Sequence, residues 1–167
     1  MKQQSRTLRK RIVNTAPMSA AQHNHKALDI TAIATVIVTS EDPAHPIDNV
    51  FDNHDEPGAR RWVAEDTGEQ CIILDFDKRQ TIRQITLVIE ETEVQRSQEL
   101  TISISSDGGR TYQELIRQEY NFSPPGTTRE RETWSVSAER ISHLRLQIKP
   151  DKSGKPSRAT MTLLTLR

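Results

Sequence analysis

Leu100-Thr101-Ile102-Ser103-Ile104 alternates apolar and hydroxyl side chains without a break, and Leu144, Leu146 and Ile148 repeat the pattern later in the chain. Successive side chains of a strand point to opposite faces, so each run has one apolar and one polar side, the mark of a half-buried antiparallel strand. Asp107-Gly108-Gly109 follows the first run almost directly. Its glycines accept the positive φ that a tight hairpin with right-handed twist requires, and the chain is expected to reverse there.

From Ile30 onward the remaining sequence reads in the same way. Ile30 to Ser40, Trp62 to Ala64, Cys71 to Phe76, Ile82 to Glu90, Tyr112 to Phe122, Trp134 to Val136 and Thr160 to Leu166 are predicted strands, with turns at Gly68 and Asp77-Lys78-Arg79. Short strands at this spacing with no convincing long helix predict an all-β, antiparallel jelly-roll sandwich of about eight strands. A chain of 167 residues fits one such domain. The sandwich is expected over residues 29–167. Residues 1–28 carry six basic and no acidic side chains, and are expected to form a flexible basic arm.

Lys plus Arg equals Asp plus Glu at 23 each, so no global field favours nucleic acid as a partner. The single cysteine, Cys71, rules out an internal disulfide and sits in an apolar run where an inert thiol is expected. No apolar window is long enough to span a membrane. No apolar signal-peptide core follows the basic N-terminal residues either, and the expectation is a cytoplasmic protein.

Glu41 to Arg61, rich in Pro, Asp and Asn, is long for a connection without apolar periodicity and is read as functional. His45 and His54 flank it and are candidates for ligand contact, whereas His23 and His25 lie in the arm and are read as solvated. Trp62 is expected in the core. Asn53 is a residue type that tolerates left-handed backbone. Glu90, Glu91 and Glu93 are read as a solvated face, because paired catalytic carboxylates normally reach one cleft from different elements. Tyr120 and Asn121 border the loop Ser123-Pro124-Pro125-Gly126 and combine an aromatic face with an amide, as small-ligand sites do. Nucleophile-elbow, phosphate-loop, zinc and dinucleotide signatures are missing from the sequence, so no enzyme is expected.

One order of landmarks runs through the chain. Pro46-Ile47-Asp48-Asn49-Val50-Phe51-Asp52-Asn53 is followed by Arg61-Trp62, Ile72-Ile73-Leu74-Asp75-Phe76 and Ile82-Arg83-Gln84-Ile85-Thr86-Leu87. Arg96, Ser106-Asp107-Gly108 and His143-Leu144-Arg145-Leu146 come next. The series resembles the discoidin or coagulation factor 5/8 type C family, with its galactose-binding-like fold. The resemblance implies a non-catalytic module that binds a glycan or other small polar ligand through loops at one end of the sandwich. It makes His45, Asp52, Asn53, His54, Arg61, Arg96, Tyr120 and Asn121 the candidate contacts. The alternative is a cytoplasmic adaptor that docks a protein partner on the same scaffold. Members of the family often hold a Ca²⁺ ion between the first long loop and a Glu of the final strand. Asp48, Asp52 and Asp55 are suitable hard ligands, but Thr160 to Leu166 contains no carboxylate, which weighs against calcium.

Overall fold

A computed structural model describes residues 26–167. Most of the expected arm, with His23 and His25, lies outside the described residues. The chain forms a one-turn helix α1 (Ile30–Ile33) and then strands β1 (Ala34–Val38), β2 (Trp62–Thr67), β3 (Gln70–Glu90), β4 (Arg96–Ser105), β5 (Gln113–Phe122), β6 (Arg129–Lys149), β7 (Arg158–Met161) and β8 (Leu163–Leu166). All pairings are antiparallel, in the order β1-β3-β6-β4-β5 with β8 also on β3, and β2 pairs with β7. The molecule is an antiparallel β-sandwich, as the alternating runs predict.

Two strands organise it. β3 and β6 each run for 21 residues, where the sequence predicts two shorter strands apiece. Asp77-Lys78-Arg79 is a bend within β3 and not a turn between strands. The β3–β6 register slips there, between Asp75 and Gln80, Gln80 and Ile82, and Ile82 and Gln84. The first slip leaves three extra residues on β3 and the next two leave one each on β6, which bends the strands and changes which side chains face inward. The members of the main core cluster accordingly pass from Ile72, Leu74, Phe76 and Ile82 to Ile85, Leu87 and Ile89, an even-to-odd change of phase. Arg140 has φ 58 at the same level of β6, and its carbonyl accepts a hydrogen bond from Arg79 Nη1.

The first predicted strand begins four residues late, because Ile30 to Ile33 close one helical turn behind Asp29. Its β-branched residues favour a strand, but Ile30 is buried against the core in this turn, and tertiary packing overrides local preference. Leu28 N–H donates to Leu166 O at 2.8 Å, which ties the start of the described chain to the last strand. The predicted final strand divides at Thr162, whose N–H donates to Val88 O. Trp62 is fully buried, as expected, and its Nε1 donates to Ser40 O.

The β4–β5 hairpin is held by one carboxylate. Asp107 Oδ1 accepts from Ser105 Oγ, Arg110 N and Thr111 N, and Oδ2 accepts from Thr111 Oγ1 at 2.7 Å. These bonds, led by those from Thr111, hold the Asp107 carboxyl well below the usual carboxylate range. Gly108 and Gly109 both have φ 79. A Cβ at Gly109 would also stand 3.2 Å from Tyr112 Oη.

Inside the sandwich Gln98 is 0 % exposed, and neither end of its amide has a partner. It stands opposite Tyr120 in the β4–β5 ladder, and the buried Tyr120 hydroxyl is likewise unpaired.

Two predictions follow from these features. Asp107→Ala lowers the melting temperature at neutral pH. A carboxyl whose folded pKa is depressed contributes stability above the unfolded value of about 3.9 and loses it as pH falls through the folded value. The gap between wild type and variant should therefore close as melts are repeated from about pH 5 downward, and a gap constant with pH would show that the charge is not the cause. Gln98→Met removes two unpaired buried polar atoms at similar volume, and should raise stability by about 1 kcal/mol in a denaturant melt. A loss instead would show that the amide is satisfied by internal water.

Candidate functional site

Five connections meet at the end of the sandwich where β4 begins, and hydrogen bonds tie them together. Glu91 N donates to Thr128 O, Lys152 N to Ser97 O and Gly68 N to Ser157 O. A cleft of about 410 Å³ opens among the β1–β2, β3–β4 and β6–β7 connections. Its lining includes Asp42, His45 and Arg61 from the β1–β2 loop, Glu91, Glu93 and Val94 from the β3–β4 loop, and Arg158 and Thr160 from β7.

Arg96 forms its floor. The side chain is 1 % exposed, with Nη1 donating to Pro150 O at 2.9 Å and Arg158 O at 3.1 Å, while Nη2 faces Glu91 Oε2 at 2.9 Å as an ion pair without a straight hydrogen bond. Burial draws its pKa down, and the Glu91 charge opposes that shift. Glu91 is also the organiser of its loop, because Oε1 accepts from Glu93 N and Val94 N. Arg96 is thus an anchor between β4 and the loops around β7, and not the exposed contact that the sequence reading supposes.

On the other wall Arg158 Nη2 meets Asp42 Oδ2 at 2.7 Å, while its Nε donates to Ala64 O. The bond from Arg158 is the main cause that holds the Asp42 carboxyl below its ordinary range. His45 Nδ1 lies 3.7 Å from the same carboxylate. Arg61 differs from these two arginines. Only its backbone carbonyl is engaged, by Asn49 Nδ2, and among the described residues its guanidinium has no carboxylate or carbonyl partner. Thr160 Oγ1 is buried without a partner. Glu90 is buried too, both carboxylate oxygens accepting the single Gly58 N–H at 3.1 Å.

Of the candidates named from sequence, His45, Arg61 and Arg96 reach this cleft. Asp52 and His54 lie farther along the loop and pair with each other and with Arg60. Asn53 has φ 62, the left-handed backbone for which Asn is suited, and is exposed. Tyr120 is core, 2 % exposed and 6.4 Å from the Phe122 ring centroid, so its face is closed to a ligand. Burial, reinforced by Glu132 and Glu130, pushes its phenol pKa up. Asn121 is exposed on β5 and accepts a hydrogen bond from Ser97 Oγ beside a separate shallow depression.

The acidic cluster is not a solvated face: Glu90 is buried and Glu91 is paired, leaving only Glu93 exposed. Sequence reasoning missed Asp42, Glu91, Arg158 and Thr160. The Asp42–Arg158 pair spans 116 residues and carries no local signal. The strand-end acids were visible, but only the fold shows that Arg96 stands behind them.

The residues present do not fit a calcium cage. Asp52 already uses Oδ1 for His54 N and Oδ2 for Arg60, Asp48 is exposed on the 3-10 turn Ile47–Phe51, and β7 and β8 carry no carboxylate. Among the described residues no group of three His, Cys, Asp or Glu side chains converges on a metal-sized site.

At the opposite end Asp75, His143 and Ser142 line up as an acid–imidazole–hydroxyl series, with 3.3 Å from Asp75 Oδ1 to His143 Nε2 and 3.1 Å from His143 Nδ1 to Ser142 Oγ. The Ser142 hydroxyl gives its proton to Ser105 O and accepts from Gly108 N. Its proton is therefore not held by the imidazole, which a nucleophile activated by a general base requires.

Comparison with known proteins places this geometry. No curated protein matches the chain. Among solved structures it is similar to a pectin-binding carbohydrate-binding module, with a TM-score of 0.58 and 21% identity over 81% of this chain and 90% of that one. A family 32 module in complex with 4,5-unsaturated mannuronic acid gives 0.59 and 19% over 86% and 98%. A family 32 module from Clostridium perfringens in complex with GalNAc-β-1,3-galactose gives 0.57 and 17% over 84% and 99%. At these identities the likeness is one of fold. The match in sequence is to the F5/8 type C domain and covers residues 30–162, so the chain belongs to the F5/8 type C domain family.

Proposed function

We propose that this chain is a non-catalytic carbohydrate-binding module that takes a sugar in the cleft at the β4 end. The observation that carries the reading is the Arg61 guanidinium, the one arginine of the cleft without a partner among the described residues. A planar fork of donors suits two neighbouring oxygens of a sugar ring. The exposed Glu93 carboxylate supplies acceptors for hydroxyl protons. Val63 and Val94 provide apolar surface for the C–H side of a ring, Val94 being 46% exposed. Among the described residues no Phe, Tyr or Trp lines the cleft, so binding rests on charge-assisted hydrogen bonds more than on stacking.

The three neighbours described above support the class of ligand, since each is a carbohydrate-binding module and two are described with a bound sugar. Their ligands include both uronic and neutral sugars. Nothing among the described residues favours the adaptor alternative.

Titration with a panel of mono- and disaccharides, galactose and uronates included, should reveal at least one ligand. A panel with no binder, beside stoichiometric capture of one protein, would decide for the adaptor. With a ligand in hand, Arg61→Ala should weaken binding about tenfold or more while shifting stability by no more than about 0.5 kcal/mol, because the guanidinium makes no bond in the free protein. Arg96→Ala should behave differently. It strands the partly buried Glu91 charge and the Pro150 and Arg158 carbonyls, and is expected to cost about 3 kcal/mol in a denaturant melt along with binding. Equal stability losses in the two variants would contradict the division of roles.

A further inference from the structure

The outer face of the main sheet carries a second, independent polar depression. Along β4 the residues Leu100, Ile102 and Ile104 point into the core, so Thr101, Ser103 and Ser105 point outward. Outward residues of a flat sheet are open to solvent, yet these three are only 8%, 3% and 2% exposed. They are sunk because longer side chains rise on both sides. Register places Gln147 and Arg145 of β6 on one flank, and Arg117 and Glu114 of β5 on the other. The resulting gutter opens into a cleft of about 480 Å³ between Cys71, Gln147, Thr101 and Arg117. β4 runs about 20 Å from Glu99 to Ser105 at the usual rise per residue, and the cleft occupies its Glu99–Thr101 part.

Its chemistry is specific in three ways. The Thr101 and Ser103 hydroxyls and the Gln147 amide make no side-chain hydrogen bond among the described residues, so the floor has free donors and acceptors. Charges cancel, with Arg117 held by Glu99 at 2.9 Å and Glu114 at 2.8 Å, and with Lys149 and Glu69 both at the rim. Farther along, the Arg145 guanidinium lies 3.9 Å over the Tyr112 ring with its Nε unpaired. A polypeptide strand would need a free sheet edge, but β4 is paired on both sides, by β5 and β6.

We propose that this gutter is a second glycan site, which takes a neutral polysaccharide chain laid along β4. The proposal rests on the carbohydrate reading for its class of ligand but on none of the cleft residues. The test uses affinity electrophoresis in three linear neutral polysaccharides, a β-1,4-galactan, a xylan and a β-glucan, with the sugar bound by the cleft titrated in parallel. The proteins are wild type, Arg61→Ala, the double variant Thr101→Val with Gln147→Ala, and Gln147→Trp, which fills the gutter from an exposed position.

Removing two sets of hydrogen bonds is expected to weaken retention by at least one polysaccharide about tenfold, with sugar binding at the cleft unchanged. Gln147→Trp should do the same. Retention equal to wild type in both gutter variants overturns the proposal, as does a wild type that binds a sugar at the cleft but none of the three polysaccharides. Loss of retention in the gutter variants together with unchanged sugar binding in Arg61→Ala overturns the cleft reading alone. Failure to bind any sugar or polysaccharide overturns both.

Discussion

The β3–β6 pairing is the constraint on which the rest of the molecule depends. Fifteen residue pairs hold these strands together through their common bend, and β1, β4 and β8 attach to one or the other. Because the register slips at the bend, a strand that is apolar on even positions before it can be apolar on odd positions after it and still face one core. The main sheet and the part of the sandwich carried by β8 are thereby fixed to each other through continuous backbone. Loops rooted on such a frame are positioned by it, which is the usual relation of a rigid scaffold to a variable binding end.

Within that end the charges fall into two kinds. Arg96 with Glu91, and Arg158 with Asp42, are occupied in tying segments distant in sequence to one another. A charge held in place by several partners is fixed before any ligand arrives, which limits the ordering cost of binding. Arg61 and Glu93 remain free to respond. Two sets of charges therefore coexist in a small volume, one engaged in holding the loops and one without partners among the described residues.

Much of the architecture was legible because alternation is a local signal. Leu100 to Ile104 and Leu144 to Ile148 fall in strands as read, and Asp107-Gly108-Gly109 makes its turn. The errors have a common physical origin. Asp77-Lys78-Arg79 has the composition of a turn, but in a bent strand polar residues at the outer corner are equally at home. Ile30 to Ile33 has the composition of a strand and was overruled by where Ile30 could be buried. His45 and Arg61, which line the cleft, belong to a loop whose length and character stand out in the sequence. Tyr120 was misplaced because exposure of an aromatic beside a loop depends on which side of the strand it occupies. Its partner in the ladder is Gln98, a polar residue at an inward position, so the phase of β4 and β5 near that end was obscured by composition. Arg158 and Thr160 were beyond reach, since their partners lie on the far side of the sequence.

The bond from Leu28 N to Leu166 O brings the two ends of the folded unit side by side, near the β3 bend, since Arg167 N also donates to Gln84 O. The cleft lies at the other extremity, beyond Glu90. Leu28 and Arg167 therefore both stand at the pole remote from the cleft. A further chain joined at Arg167 would start a sandwich's length away from the cleft.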